Sequence, residues 1–191
     1  MRHGGLYVWR HPRPHGAAGR CVGRTDLALD PRKARRLARR IARFAAREGL
    51  PRIVLTSPLR RSVEVGRWLH RWGWEHGVDA ALNELDFGAW EGLRWDDVPR
   101  TEIDAWCAEF ASYRPGGGEA LVDLLARARA WSAGTAHVVV GHAGWIQALR
   151  WLRDRGDDLP NAVEWPPAER FSGGPVFFAA PGDEVGVRRD A

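Results

Sequence analysis

Two histidines in this chain stand where reactive groups gather in α/β proteins. His11 follows the apolar run Leu6-Tyr7-Val8-Trp9 and Arg10, and His142 follows Val138-Val139-Val140-Gly141 and precedes Ala143-Gly144. A third run ending at Thr56 delivers Ser57 and, one turn later, Arg61. Carboxyl ends of parallel strands share one sheet edge, so Arg10, His11, Arg61 and His142 are expected to converge there. Two guanidiniums and two imidazoles make a pocket for a tetrahedral dianion, because the arginine fork gives paired hydrogen bonds to phosphate oxygens and keeps its charge. An imidazole with a free-solution pKa of about 6.5 is largely neutral near pH 7 and is able to attack phosphorus. The arginines and the second imidazole would then stabilise charge on the equatorial oxygens. The alcohol that leaves needs a proton. Glu84, in Leu82-Asn83-Glu84-Leu85-Asp86-Phe87-Gly88, is the chosen acid, with Asp86 and Glu91 as neighbouring alternatives. The chemistry expected is metal-free phosphoryl transfer with His11 as nucleophile.

Positioning these groups requires strands that end together. The pattern predicts strands at 5–9, 52–56, 137–140 and, last, 176–179, with helices at about 31–48, 57–72, 100–113, 119–131 and 144–152. Asp30 is a good cap and Pro31 suits a first helical turn. Pro12, Pro14, Gly16 and Gly19 keep 11–23 a loop, 84–95 is a second loop, and Pro115-Gly116-Gly117-Gly118 is a joint. Helix N-termini after Ser57 and His142 are expected to offer free N–H groups to an anion. Strands alternating with helices imply an α/β, three-layer sandwich: a mostly parallel central sheet with helices on both faces.

The 191 residues suit a single domain, with a core of about 5–180 and a frayed tail from Arg188 to Ala191. With 45% hydrophobic and 28% charged residues the composition is globular. No run of eighteen or more apolar residues occurs, so no membrane span is expected. Strand one begins almost at Met1, which leaves no room for a signal peptide and points to the cytoplasm. Cys21 and Cys107 are too few for a disulfide framework; Cys21 lies near the expected site, and Cys107 is read as a core residue. The net charge of +5 is carried by arginine apart from Lys33. Its densest stretch, 32–47, repeats Ala34, Leu37, Ala38, Ile41 and Ala45 at helical spacing, which describes a solvated basic face, and no nucleic-acid partner is expected. His11-x-x-x-His15 is interrupted by prolines and lacks a matching carboxylate, so neither metal nor cofactor is expected. Of eleven tryptophans, Trp68, Trp72 and Trp151 fall at core spacings. Trp90, Trp95, Trp106 and Trp145 belong to segments expected to cover the site, with Trp165 a further wall; such rings would stack a flat substrate group.

Five motifs stand in order: Arg10-His11; Gly19-x-Cys21-x-Gly23-x-x-Asp26; Ser57-Pro58-Leu59-x-Arg61; Glu84-x-Asp86-Phe87-Gly88-x-Trp90-Glu91-Gly92; and Gly141-His142-Ala143-Gly144. Together they resemble the histidine phosphatase (phosphoglycerate mutase-like) superfamily over about 5–180. The Gly-x-Cys-x-Gly segment and Pro99-Arg100-x-Glu102-Ile103-Asp104-Ala105-Trp106 look most like its α-ribazole-phosphate phosphatase branch. The resemblance implies a phosphohistidine on His11, a phosphate pocket of Arg10, Arg61 and His142, and Glu84 as proton donor; Ser57, Gly23 and Trp90 are added as substrate-binding positions. Pro12 departs from the family's usual glycine, and Ser62-Val63-Glu64-Val65 stands where a Gln-Thr pair is common.

The expected activity is hydrolysis of a small phosphorylated metabolite, such as α-ribazole 5′-phosphate or a nucleotide-like ester, by a monomer or homodimer. A phosphoglycerate mutase would need more cover over the site than this short chain provides. A silent module that binds phosphorylated partners or RNA is the alternative from another class.

Overall fold

A computed structural model describes residues 5–179, so the expected tail 188–191 lies outside the described residues. Five strands form one sheet: β1 (Gly5–Arg10), β2 (Ile53–Thr56), β3 (Glu75–Val78), β4 (Val138–Gly141) and β5 (Val176–Ala179), in the order β3-β2-β4-β1-β5. All neighbours are parallel except β5, which runs antiparallel along β1. Register pairs Trp9 with Val140 and Arg10 with Gly141, so His11 and His142 leave the sheet side by side.

Alternation along the strands sorts the side chains between two cores. Trp9, Val54, Val138 and Val140 face α1 (Pro31–Glu48) and α2 (Arg60–His70). Val8 and Val139 face α4 (Leu121–Ala130) and α5 (Ala143–Arg155). The α/β sandwich with helices on both faces is therefore present. Helix α1 has the expected bounds: the Asp30 carboxylate accepts from Arg32 N at 2.8 Å, Pro31 opens the first turn, and Gly49 closes it at φ 67°.

Other boundaries shift for local reasons. Helix α2 starts at Arg60, because Leu59 is extended and Asp26 Oδ1 accepts from Arg60 N at 2.6 Å. Helix α3 (Arg100–Ala108) stops short of 113, since Glu109 leaves the helical region at φ −117°, ψ 44°. Helix α4 begins after Glu119, whose N–H is drawn to the Asp86 carbonyl. Strand β3 was not foreseen: Glu-His-Gly-Val has no apolar alternation, and pairing with β2 alone makes it a strand. Cys107 is exposed on α3, a helix with no buried residue, so it is not a core residue.

A third small cluster, Cys21, Trp90 and Val98 with Phe87, Ile103, Trp106 and Tyr113, forms a cap beside the carboxyl edge of the sheet. Its contact with the 115–118 turn depends on glycine. Gly116 at φ 57° lies so close to the Phe87–Trp90 backbone that a Cβ would have no room.

Candidate active site

The β1 and β4 ends place His11 and His142 with ring centroids 4.9 Å apart. His11 is 3% exposed, and its Nδ1 lies 2.7 Å from the Pro12 carbonyl. A carbonyl only accepts, so Nδ1 carries the proton and Nε2 presents a lone pair. Arg61 Nε donates to that Nε2 at 3.2 Å. Burial, then the charges of Arg61 and Arg10, push the His11 imidazole well below its ordinary pKa, outweighing the Pro12 carbonyl. The ring is therefore held neutral, with its lone pair on Nε2. Pro12, the departure from the family pattern, contributes the carbonyl that sets this tautomer.

Arg61 lies on the first turn of α2, is 1% exposed, and is held by the Thr25 carbonyl at 2.8 Å and the Gly23 carbonyl. Arg10 donates through one Nη to the Glu169 carbonyl, with its guanidinium carbon 3.8 Å from the centre of the Phe171 ring. Its Nε is buried and has no partner among the described residues. Burial lowers the pKa of both arginines, and Glu84 is the largest opposing influence on each. Arg10 lines the same cavity as the neutral His11 ring, where its guanidinium could meet a phosphate oxygen.

Glu84 is 7% exposed; Oε2 accepts from Gly144 N and Oε1 from Leu85 N, both at 3.1 Å. The carboxylate thus takes the Gly144 N–H in the first turn of α5, and Asp26 occupies the first N–H of α2. Each of the two helix ends expected to be free has one of its N–H groups taken by a carboxylate. Glu91 is occupied differently. Its oxygens accept from Gly23 N (3.1 Å), Arg24 N (2.6 Å), Thr25 N (3.0 Å), Phe87 N (3.2 Å) and the Thr25 hydroxyl. Burial raises the Glu91 pKa, but the Thr25 hydroxyl and these backbone N–H groups outweigh it, and the net shift is downward. Glu91 is a clamp on the 23–25 loop.

Arg10, His11, Arg61 and Glu84 line one cavity of about 530 Å³. Above them the walls are aromatic: Phe87, Trp95, Trp106 and Phe110 from the cap, and Trp165 and Phe171 from the segment between α5 and β5. Arg20 and Gln147 also line it, and the Gln147 amide donates to the Pro166 carbonyl.

Several expected contacts fall elsewhere. His142 is fully buried behind His11 and does not line the cavity; Nε2 shares a 2.6 Å hydrogen bond with the Ser57 hydroxyl, while Nδ1 has no partner among the described residues. Burial first, then His11, Arg61, Arg10 and Arg127, hold its imidazole well below the usual pKa. Ser57 is buried and serves His142, and Gly23 acts through its carbonyl on Arg61. Trp90 is not a wall: its indole donates to Glu102 at 2.6 Å and packs on Trp106 inside the cap. Trp145 is a core residue set edge-on to Trp131 at 5.1 Å. Cys21 is buried, and desolvation with the charges of Glu91 and Glu84 raises its pKa, which suppresses the thiolate. His15 is exposed, and no group of three or more metal-ligating side chains occurs among the described residues. No helix among the described residues is long and apolar enough to cross a membrane. Sequence reasoning missed the Glu91 clamp and the Glu169–Phe171 contacts; a lone phenylalanine in a polar loop was the available signal for the latter.

Comparison with known proteins gives the family and the fold. The profile of the histidine phosphatase superfamily (branch 1) matches residues 6–166. The bifunctional protein Rv2228c of Mycobacterium tuberculosis is 34% identical over 107 residues, which is 54% of this chain and 28% of that protein. A glucosyl-3-phosphoglycerate phosphatase of the same species is 33% identical over 119 residues, 52% of each chain. The match thus spans about half the length of these curated relatives, or less. The native structure of mycobacterial glucosyl-3-phosphoglycerate phosphatase Rv2419c superposes with a TM-score of 0.60 at 28% identity over 78% of each chain. Bacillus stearothermophilus YhfR reaches a TM-score of 0.72 at 22% identity over 93% of this chain and 92% of its own. The α-ribazole phosphatase of Shigella flexneri reaches 0.67 at 21% over 88% and 87%. These last two likenesses concern the fold. Because the family profile extends over most of the described sheet and its helices, this chain belongs to branch 1 of the histidine phosphatase superfamily.

Proposed function

We propose that the protein hydrolyses a small phosphomonoester through a phosphohistidine on His11. The observation that carries this reading is the His11 tautomer: Nδ1–H is tied to the Pro12 carbonyl, which leaves the lone pair on Nε2, an acceptor from Arg61 Nε, and His11 lines a cavity with Arg10, Arg61 and Glu84. Nε2 attacks phosphorus, the bond from phosphorus to the alcohol oxygen breaks, and Glu84 in its acid form protonates that oxygen. Glu84 then takes a proton from water, whose oxygen attacks the phosphohistidine. Inorganic phosphate leaves and neutral His11 returns. Arg10 and Arg61 hold the equatorial oxygens, and His142 supports the His11 ring from behind.

The aromatic walls favour an ester whose alcohol carries a flat group, such as α-ribazole 5′-phosphate or a nucleotide-like monophosphate. Stacking contributes about 0.5–1.5 kcal/mol per aromatic pair, so flat-group esters should exceed simple sugar phosphates several-fold in kcat/KM. Glucosyl-3-phosphoglycerate, named for a relative, belongs in the same screen, and its preference over every flat ester would reject this specificity. For the mechanism, His11→Ala should abolish both hydrolysis and acid-labile phosphate labelling. Labelling that persists in the variant would remove His11 from the nucleophilic role.

A further inference from the structure

The segment from Asn161 to Gly173 crosses over the nucleophile and is fastened to both helical layers. Gln147 of α5 donates to the Pro166 carbonyl, and Arg150 of α5 pairs with Glu169 at 2.5 Å. Arg40 of α1 donates to the Ser172 and Gly173 carbonyls. Between these ties the Phe171 ring lies 3.8 Å from the Arg10 guanidinium carbon and 5.5 Å, centroid to centroid, from the His11 ring. Ser172 next to it adopts a left-handed φ of 49°, the one non-glycine residue to do so among the described residues, a conformation that an L side chain disfavours. That turn is retained because the ties on either side over-determine it.

We propose that Phe171 is a positioning residue for Arg10, fixing its guanidinium beside the cavity so that it meets the phosphate. This rests on the phosphatase reading above. The strap holds Arg10 at two points: one Nη by the Glu169 carbonyl and one planar face by Phe171. Its Nε is buried and unpartnered among the described residues, and Arg10 lines the cavity. An arginine at the end of a strand otherwise has several rotamers, and holding one of them before substrate arrives removes that ordering cost from binding. A desolvated cation–π contact is worth about 2 kcal/mol or more, roughly thirtyfold in affinity when the face is lost.

The test uses Phe171→Leu, which keeps apolar bulk and removes the ring face, and Phe171→Tyr, which restores the face. Binding of inorganic phosphate is measured by calorimetry, independently of turnover, alongside KM and kcat for p-nitrophenyl phosphate. Phe171→Leu should weaken phosphate binding and raise KM by about ten- to thirtyfold, with a smaller change in kcat, and Phe171→Tyr should recover most of both. In an Arg10→Lys background the same Leu substitution should have little further effect. Unchanged phosphate affinity in Phe171→Leu overturns the proposal, as does a full loss that persists in the Arg10→Lys background. If wild type binds phosphate but releases no p-nitrophenol, the hydrolase reading fails while the calorimetric comparison still decides the role of Phe171.

Discussion

Replacing Glu91 by glutamine, beside the same change at Glu84, separates a clamp from an acid. Glu91 Oε1 accepts from Arg24 N and Phe87 N, and Oε2 accepts from Gly23 N, Thr25 N and the Thr25 hydroxyl. Glutamine offers a single oxygen, so in either orientation its NH2 group confronts at least two N–H donors. An unsatisfied buried donor costs about 1–3 kcal/mol. This site is half-buried and water recovers part of that, so two lost donors amount to about 2–3 kcal/mol. In a chain of this size about 2–4 °C of Tm follows each kcal/mol, giving a fall of about 4–12 °C. The released loop also carries the Gly23 and Thr25 carbonyls that grip Arg61, so KM should rise with it. Glu84→Gln keeps at least one of its two N–H partners, and the other at about 1–3 kcal/mol corresponds to about 2–12 °C of Tm. Its kcat should fall about 100- to 10,000-fold for loss of the proton donor. Thermal melts and steady-state kinetics on both variants decide the matter. A Glu91→Gln protein that melts like wild type with a collapsed kcat, or a Glu84→Gln protein with full turnover, would refute the assignment.

Acidification should destabilise the fold early. His11 and His142 both titrate well below their ordinary value when folded, so below about pH 6.5 the unfolded chain takes up protons that the native state refuses. Their contribution is present above that pH and lost as it falls, at up to about 1.4 kcal/mol per pH unit for each imidazole. Differential scanning calorimetry between pH 7 and pH 5 should show a falling Tm, less steep in His11→Gln; a flat Tm would contradict the buried neutral pair. Gly144→Ala should damage turnover without altering charge, because a Cβ there would come 2.5 Å from Glu84 Oε1 and push the carboxylate aside. Wild-type kcat in that variant would show that the placement of Glu84 is not critical. Hydrolysis should persist in EDTA, and a loss restored by Mg²⁺ or Zn²⁺ would replace the proposed chemistry.

Much of this architecture is written in local signals. Asp30, Pro31 and the 3–4 spacing of Leu37, Ala38 and Ile41 specify α1 without help, and the valine run before His142 specifies β4. Both depend on periodicity and capping, which act within a few residues. Strand β3 had no such signal, since Glu75 and Val78 are exposed and only β2 holds them in place. Two tryptophans in equally aromatic surroundings show the same limit: Trp106 lines the cavity while Trp90, beside it, is turned inward to Glu102.

From the chain alone follow the two strand-end histidines, the paired arginines and the family to which their order belongs, because sheet topology brings strand ends together whatever the loops do. Folding in three dimensions decided which carboxylate is clamped and which faces the cavity, that His142 stands behind His11, and that Phe171 covers Arg10. Glu84 and Glu91 carry the same chemical group seven positions apart. They differ only in the donors that the folded loops point at them, and donor geometry is a property of tertiary contact.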